Sequence, residues 1–180
     1  MDRSQKAEEI LDVAERMTRA GGYGGFSFRE IATEVGIKSA SVHYHFPTKE
    51  DLGAAMAERY TDRFLKGLGD PRDTTRSTEE KISAYVEGFR QALVEDDLMC
   101  LCGVLGAEIA GLPVRVAEQA RRFFDRNREW LDAVYEADGG YGDVTARHNT
   151  ALALLAKLEG AMLVARSFGD NEVFDQVMSV

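Results

Sequence analysis

The side chains with most to offer chemically stand between Phe26 and Leu52, and they form no catalytic set. Ser39, Ser41, His43 and Tyr44 follow one another as short hydroxyls and planar polar rings. Groups of that kind on one helix face suit base edges and phosphates in a major groove that admits one α-helix. His43 and His45 diverge on a helix, so they do not converge on an ion and no metal site is expected. The chain has no glycine-rich phosphate loop, no nucleophile elbow, no paired-ligand metal spacing, and no His with an evident acid partner outside this stretch. An enzyme is therefore not expected. The chemistry on offer is recognition by hydrogen bonding.

A helix that presents those groups needs others to hold it. Ser27 stands three residues before Glu30, a capping box that opens a short helix running through Glu34. Ile31, Ala32 and Val35 give that helix an apolar face, Gly36 supplies a sharp turn and Ile37 plugs the gap beyond it. A second short helix is expected from about Ser39 to His45, anchored from below by Val42 and Phe46 and closed by Pro47. The pair is a helix-turn-helix. Ahead of it, Ala7, Ile10, Leu11, Ala14 and Met17 recur at three- and four-residue steps and predict an amphipathic helix from Ser4 to about Ala20, ended by Gly21-Gly22.

Thr48 and Asp51 form another capping box, for a long helix from Lys49 to about Leu68. Gly69 to Thr78 reads as a loop. Helices follow at about Glu79 to Asp96, Leu98 to Ala110, Val114 to Ala137, Val144 to Phe168 and Asn171 to Ser179. There is no strand pattern and no internal repeat. The expected fold is all-α with about nine helices: a three-helix helix-turn-helix domain over residues 1–47, and a larger helical domain over residues 48–180.

The totals pull the other way. The formal net charge is −9, which by itself argues against nucleic acid. Residues 1–50 nevertheless carry 7 Lys and Arg against 8 Asp and Glu, while residues 51–180 carry 15 against 23. A near-neutral head can still present a positive face, and an acidic body repels DNA everywhere else. The N-terminus lacks the layout of a signal peptide, and the most apolar stretch, Ala151 to Val164, is broken by Lys157 and Glu159. A soluble, cytoplasmic protein with no membrane partner is expected. Cys100 and Cys102 would point to different sides of a helix and not bridge each other. Neither has a Lys or His neighbour to activate it, so buried inert thiols are expected in preference to redox sensors.

The stretch from Phe26 to Leu52 resembles the signature of the TetR family of bacterial transcriptional regulators. An aromatic-Ser pair opens the second helix, Ile31-Ala32 leads to Gly36-Ile37, an aromatic-rich recognition helix follows, and Phe46-x-x-Lys49-x-x-Leu52 closes it. The resemblance covers roughly residues 5–60 by motif. It implies phosphate contacts by Ser27 and Arg29, base contacts by Ser39, Ser41 and His43, and a hold on the DNA backbone by Tyr44 and Lys49. Many members have Lys-Gly where this chain has Ser39-Ala40, and Tyr in place of His43; Lys38 substitutes for the missing charge.

The same resemblance implies a repressor, with activation as the alternative, that binds palindromic double-stranded operator DNA as a homodimer and is released by a small-molecule inducer. It makes residues 48–180 a ligand-binding and dimerisation domain with no cofactor. The helix at 144–168 is apolar around much of its girth, with small residues that permit close packing between subunits. Aromatic and sulfur side chains at helical spacing in this half are first of all core. Phe89, Cys102 and Phe123 are the candidates among them for lining an effector pocket.

Overall fold

Periodicity in the sequence becomes helix in the computed structural model, which describes residues 3–94 and 97–179. The described residues form α1 (Arg3–Gly21), α2 (Phe28–Val35), α3 (Ser39–His45), α4 (Lys49–Leu68), α5 (Thr78–Val94), α6 (Leu101–Ala107), α7 (Val114–Asp138), α8 (Val144–Phe168) and α9 (Glu172–Met178). Single 3-10 turns lie at Tyr23–Gly25 and Ile109–Gly111, and no strand occurs among the described residues. The fold is all-α.

Contacts divide the chain into two compact units, one of Met1–Thr61 with Leu101–Phe123 and one of Asp62–Cys100 with Phe124–Val180. This division is discontinuous because α4 and α7 each contribute residues to both units. It groups residues by packing, whereas the boundary expected between residues 47 and 48 is an expectation about roles.

In the first unit, Ile10 and Ala14 of α1, Phe28 and Ile31 of α2, Val42 of α3, and Leu52 and Met56 of α4 share a buried core. Each fully buried aliphatic side chain there contributes about 1.5–3 kcal/mol relative to exposure. Arg59 of α4 adds an electrostatic clamp on α1, reaching Glu8 at 2.8 Å, Asp12 at 2.8 Å and Glu15 at 3.2 Å. Three carboxylates around one guanidinium raise its pKa despite its partial burial.

The second unit is built on aromatic contact. Tyr85 and Phe89 of α5 pack on Phe64 of α4, and Tyr85 stacks on Trp130 of α7 with ring centroids 5.6 Å apart. The Trp130 indole donates to the Gly69 carbonyl at 2.9 Å, which fastens the end of α4 to α7. Asp143 caps the start of α8 by accepting from the Ala146 N–H, and Gly169, left-handed at φ 65°, ends it. Phe174 of α9 is fully buried, and Arg90 of α5 holds α9 through a two-pronged pair with Asp175 at 2.8 and 3.0 Å.

The helix expected from Leu98 begins only at Leu101. Asp97 adopts a left-handed φ of 52°, and the Leu98 N–H bonds back to the Ala92 carbonyl, so the residues ahead of Leu101 turn the chain instead of starting a helix. The expected end of the preceding helix, Asp96, lies with Glu95 outside the described residues. Cys100 consequently precedes α6, so helical geometry does not set it apart from Cys102; both cysteines are buried and neither is in a disulfide.

Candidate nucleic-acid interface

The site rests on two reciprocal caps. The Ser27 hydroxyl accepts from the Glu30 N–H at 3.3 Å and donates to the Glu30 carboxylate at 2.7 Å, which holds that carboxyl below its usual range. Thr48 and Asp51 repeat the device at the start of α4, where Arg115 also pairs with Asp51 and helps keep its carboxyl low. Between the caps, Gly36 takes the left-handed conformation at φ 72° and its N–H bonds the Ala32 and Thr33 carbonyls. The next N–H, of Ile37, also returns to Ala32 at 2.9 Å. A left-handed turn this tight redirects the chain so that α3 packs against α2.

Val42 is wholly buried and Phe46 nearly so, and this fixes which side of α3 faces out. Lys38, at the cap of α3, and His43 and Tyr44 on it are exposed, Tyr44 at 62%, while Ser39 and Ser41 are partly exposed on that helix. Arg29 is exposed on α2. The His43 ring packs edge-on against Phe28, and its Nδ1 lies 3.3 Å from the Pro47 carbonyl. A carbonyl can only accept, so Nδ1 carries the hydrogen there and the neutral ring keeps Nε2 as an acceptor.

Two of the expected contact residues have intramolecular work. The Ser27 hydroxyl is occupied by its cap. Lys49 is partly buried: its ammonium donates to the Phe26 carbonyl at 2.6 Å and sits over the Phe26 and Tyr23 rings at 4.0 and 5.0 Å. Burial lowers the Lys49 pKa, opposed by Glu30 and Glu108. Glu108 also receives the Tyr23 N–H at 2.9 Å. Tyr23 is itself pushed up to about 12, by burial first and by Glu50 second. Phe26 was legible as part of the motif but not as a partner of Lys49, and the parts played by Tyr23, Phe28 and Glu108 carried no signal, because contacts between residues distant in sequence leave no local spacing.

The candidates for an effector pocket are all buried but do not share a unit. Phe89 belongs to the second, against Phe64 and Tyr85, while Cys102 and Phe123 belong to the first, Phe123 against Tyr60. Among the described residues, no group of three or more His, Cys, Asp or Glu is placed to hold a metal, and no helix is long and apolar enough to cross a membrane.

An all-helical chain with a helix-turn-helix that turns polar side chains outward from an apolar underside is a DNA-binding transcriptional regulator. The sequence profile of bacterial regulatory proteins of the tetR family matches residues 10–56. A TetR transcriptional regulator from Legionella pneumophila is 38% identical, with 94% of this chain and 91% of that one covered and a TM-score of 0.87. The chain belongs to the TetR family, which consists of regulators and not enzymes. A family member from Agrobacterium tumefaciens is 32% identical, with 98% and 95% covered and a TM-score of 0.88. An uncharacterised HTH-type transcriptional regulator from the dhlA 5' region of Xanthobacter autotrophicus is 29% identical over 102 residues, 56% of this chain. The chain spans about half the length of that relative, 50%.

Proposed function

We propose that this regulator binds a palindromic operator as a homodimer in the cytoplasm, represses from it, and is released by a small molecule held in the helical body that follows the DNA-reading elements. The observation that carries the reading is the outward face of α3, where His43 and Tyr44, with Lys38 at the helix start, are exposed above buried Val42 and Phe46. Residues 1–47 would read DNA and residues 48–180 would bind the effector and the partner subunit. Ser39, Ser41 and His43 would meet base edges, and Arg29, Lys38 and Tyr44 phosphates. With Nδ1 tied to Pro47, His43 offers an acceptor and favours the amino groups of adenine or cytosine. Ser27 and Lys49 would act mainly by setting the α2 and α4 termini, with backbone contact secondary.

Support for a dimer comes from α8. Leu152, Leu163, Val164 and Phe168 are exposed on it, at 50%, 60%, 39% and 73%, and a Cβ at Gly160 would meet nothing within 4 Å. A two-fold axis would set two copies of α3 about 34–36 Å apart, one turn of DNA. An effector that binds the wrongly spaced state better then loosens DNA by reciprocity.

Selection of bound fragments from random duplex DNA, followed by a salt titration of the best one, tests this reading. A palindromic consensus with steep salt dependence is expected. Lys38→Ala with Tyr44→Ala should weaken binding and lower the salt slope by about one unit, through the one cation removed, with the fold intact. Unchanged affinity and slope would remove α3 from the interface.

A further inference from the structure

The inward stripe of α8 is Ala151, Leu155, Leu158, Met162 and Ala165, all buried, and one acid interrupts it. Glu159 lies one turn from Leu155 and from Met162 on that face. The residue keeps some accessible surface, yet its Oε1 is shut off from solvent and has no hydrogen-bond partner. The carboxyl receives a hydrogen bond from the fully buried Cys100 thiol, and Tyr85 lies within the electrostatic reach of both groups. The Tyr85 hydroxyl is turned to Asn127, at 2.8 Å, so it does not satisfy the acid. Glu159 forms no ion pair with any described Lys, Arg or His. A carboxyl left in this state in an apolar interior is costly, and such exceptions concentrate at functional sites.

We infer that the Glu159 carboxylate, with Tyr85 beside it, anchors the cationic nitrogen of an effector that carries a protonated amine on an apolar or aromatic body. All the groups involved belong to the second unit. An organic cation supplies the missing counter-charge, and the aromatic cluster of Tyr85, Phe89 and Trp130 nearby suits an apolar or aromatic body. A metal ion does not fit, because no third ligand among the described residues stands with Glu159 and Cys100. A basic side chain of a second copy would approach the outward face of α8, whereas Glu159 stands on the inward one. The inference rests on the reading of this chain as effector-released, and it names the effector's chemistry.

The test uses the whole chain and three amines, benzylamine, phenethylamine and tryptamine, each beside the alcohol of the same skeleton. Binding is followed by calorimetry and thermal shift at about pH 8, where the carboxyl is ionised. At least one amine should bind about ten-fold more tightly than its alcohol, and Glu159→Gln should abolish that preference. Gln is isosteric and neutral, and the carboxyl it replaces has no counter-ion, so the variant should melt no lower than the parent. Equal binding of amine and alcohol to the parent, or an amine preference that survives Glu159→Gln, overturns the inference. An amine that passes but leaves operator affinity unchanged upholds the site and removes the release reading. Release of operator by an uncharged compound, with no amine preferred, does the reverse.

Discussion

Glu159 is the residue whose behaviour departs furthest from its type, and its cost depends on pH in a definite direction. Burial pushes its carboxyl from 4.5 up to about 7, opposed only by the Cys100 hydrogen bond. An acid raised in the folded state keeps a proton that the unfolded chain has already lost. Stability at this site therefore falls as pH rises from about 4.5 to about 7 and is level above that. Glu159→Gln removes the dependence, so in urea unfolding the variant should exceed the parent by up to ~3 kcal/mol at about pH 8 and match it near about pH 4. A gap that widens toward acid would contradict the burial.

Lys49 makes the complementary point. Its position in the motif is legible in the sequence, but its partners are not, because nothing in a linear spacing brings the Phe26 carbonyl and two rings to one ammonium. Lys49→Ala should cost about 1–2 kcal/mol of stability, through a charge-assisted bond and a cation-π contact. Tyr44→Ala, at an exposed position, should stay within about 0.5 kcal/mol by the same unfolding measurement. Both should weaken DNA binding, and only the first should lower the melting temperature.

At the level of elements, the helix-turn-helix was legible because its punctuation is local. Ser27 with Glu30, Gly36, and Thr48 with Asp51 each form the cap or turn that their types and spacing predict. A Cβ at Gly36 meets nothing within 4 Å, so Gly36→Ala pays only for the left-handed φ of 72°. That is about 1–2 kcal/mol, and Ser27→Ala about 1 kcal/mol for the lost cap. Thermal unfolding of the two variants checks both, and the helical signal below the transition should not change. What sequence misplaced was the start of α6. Leu98 and Met99 continue the apolar pattern, but Asp97 takes a left-handed turn, a choice of one residue's backbone that no periodicity records. Glu159 was legible only as a charge breaking an apolar run; that it faces inward without a counter-ion needed the burial pattern of α8.

For the whole molecule, the acidic composition and the DNA-reading role are compatible because the excess charge lies beyond residue 50. Excess negative charge outside the DNA-reading residues would repel DNA there, an effect that weakens with salt. The same scale decides whether one head is enough. A single α3 of seven residues can reach only a few bases, whereas two on the proposed two-fold axis would read a palindrome together. Exposed apolar residues along α8 are where a second copy would be held, since Leu163 and Phe168 lie 60% and 73% open on the same helix that buries Leu155 and Leu158 inward. Leu163→Glu with Phe168→Glu places two like charges on each side of that face, and the self-complementary contact doubles the repulsion. The parent should sediment at about twice 19.9 kDa and the variant at 19.9 kDa, both with full helical content. Operator affinity should fall at least about a hundred-fold, because the second half-site no longer binds as part of the same complex. A variant that stays dimeric places the interface elsewhere than α8, and a monomer that keeps full operator affinity shows that one head suffices.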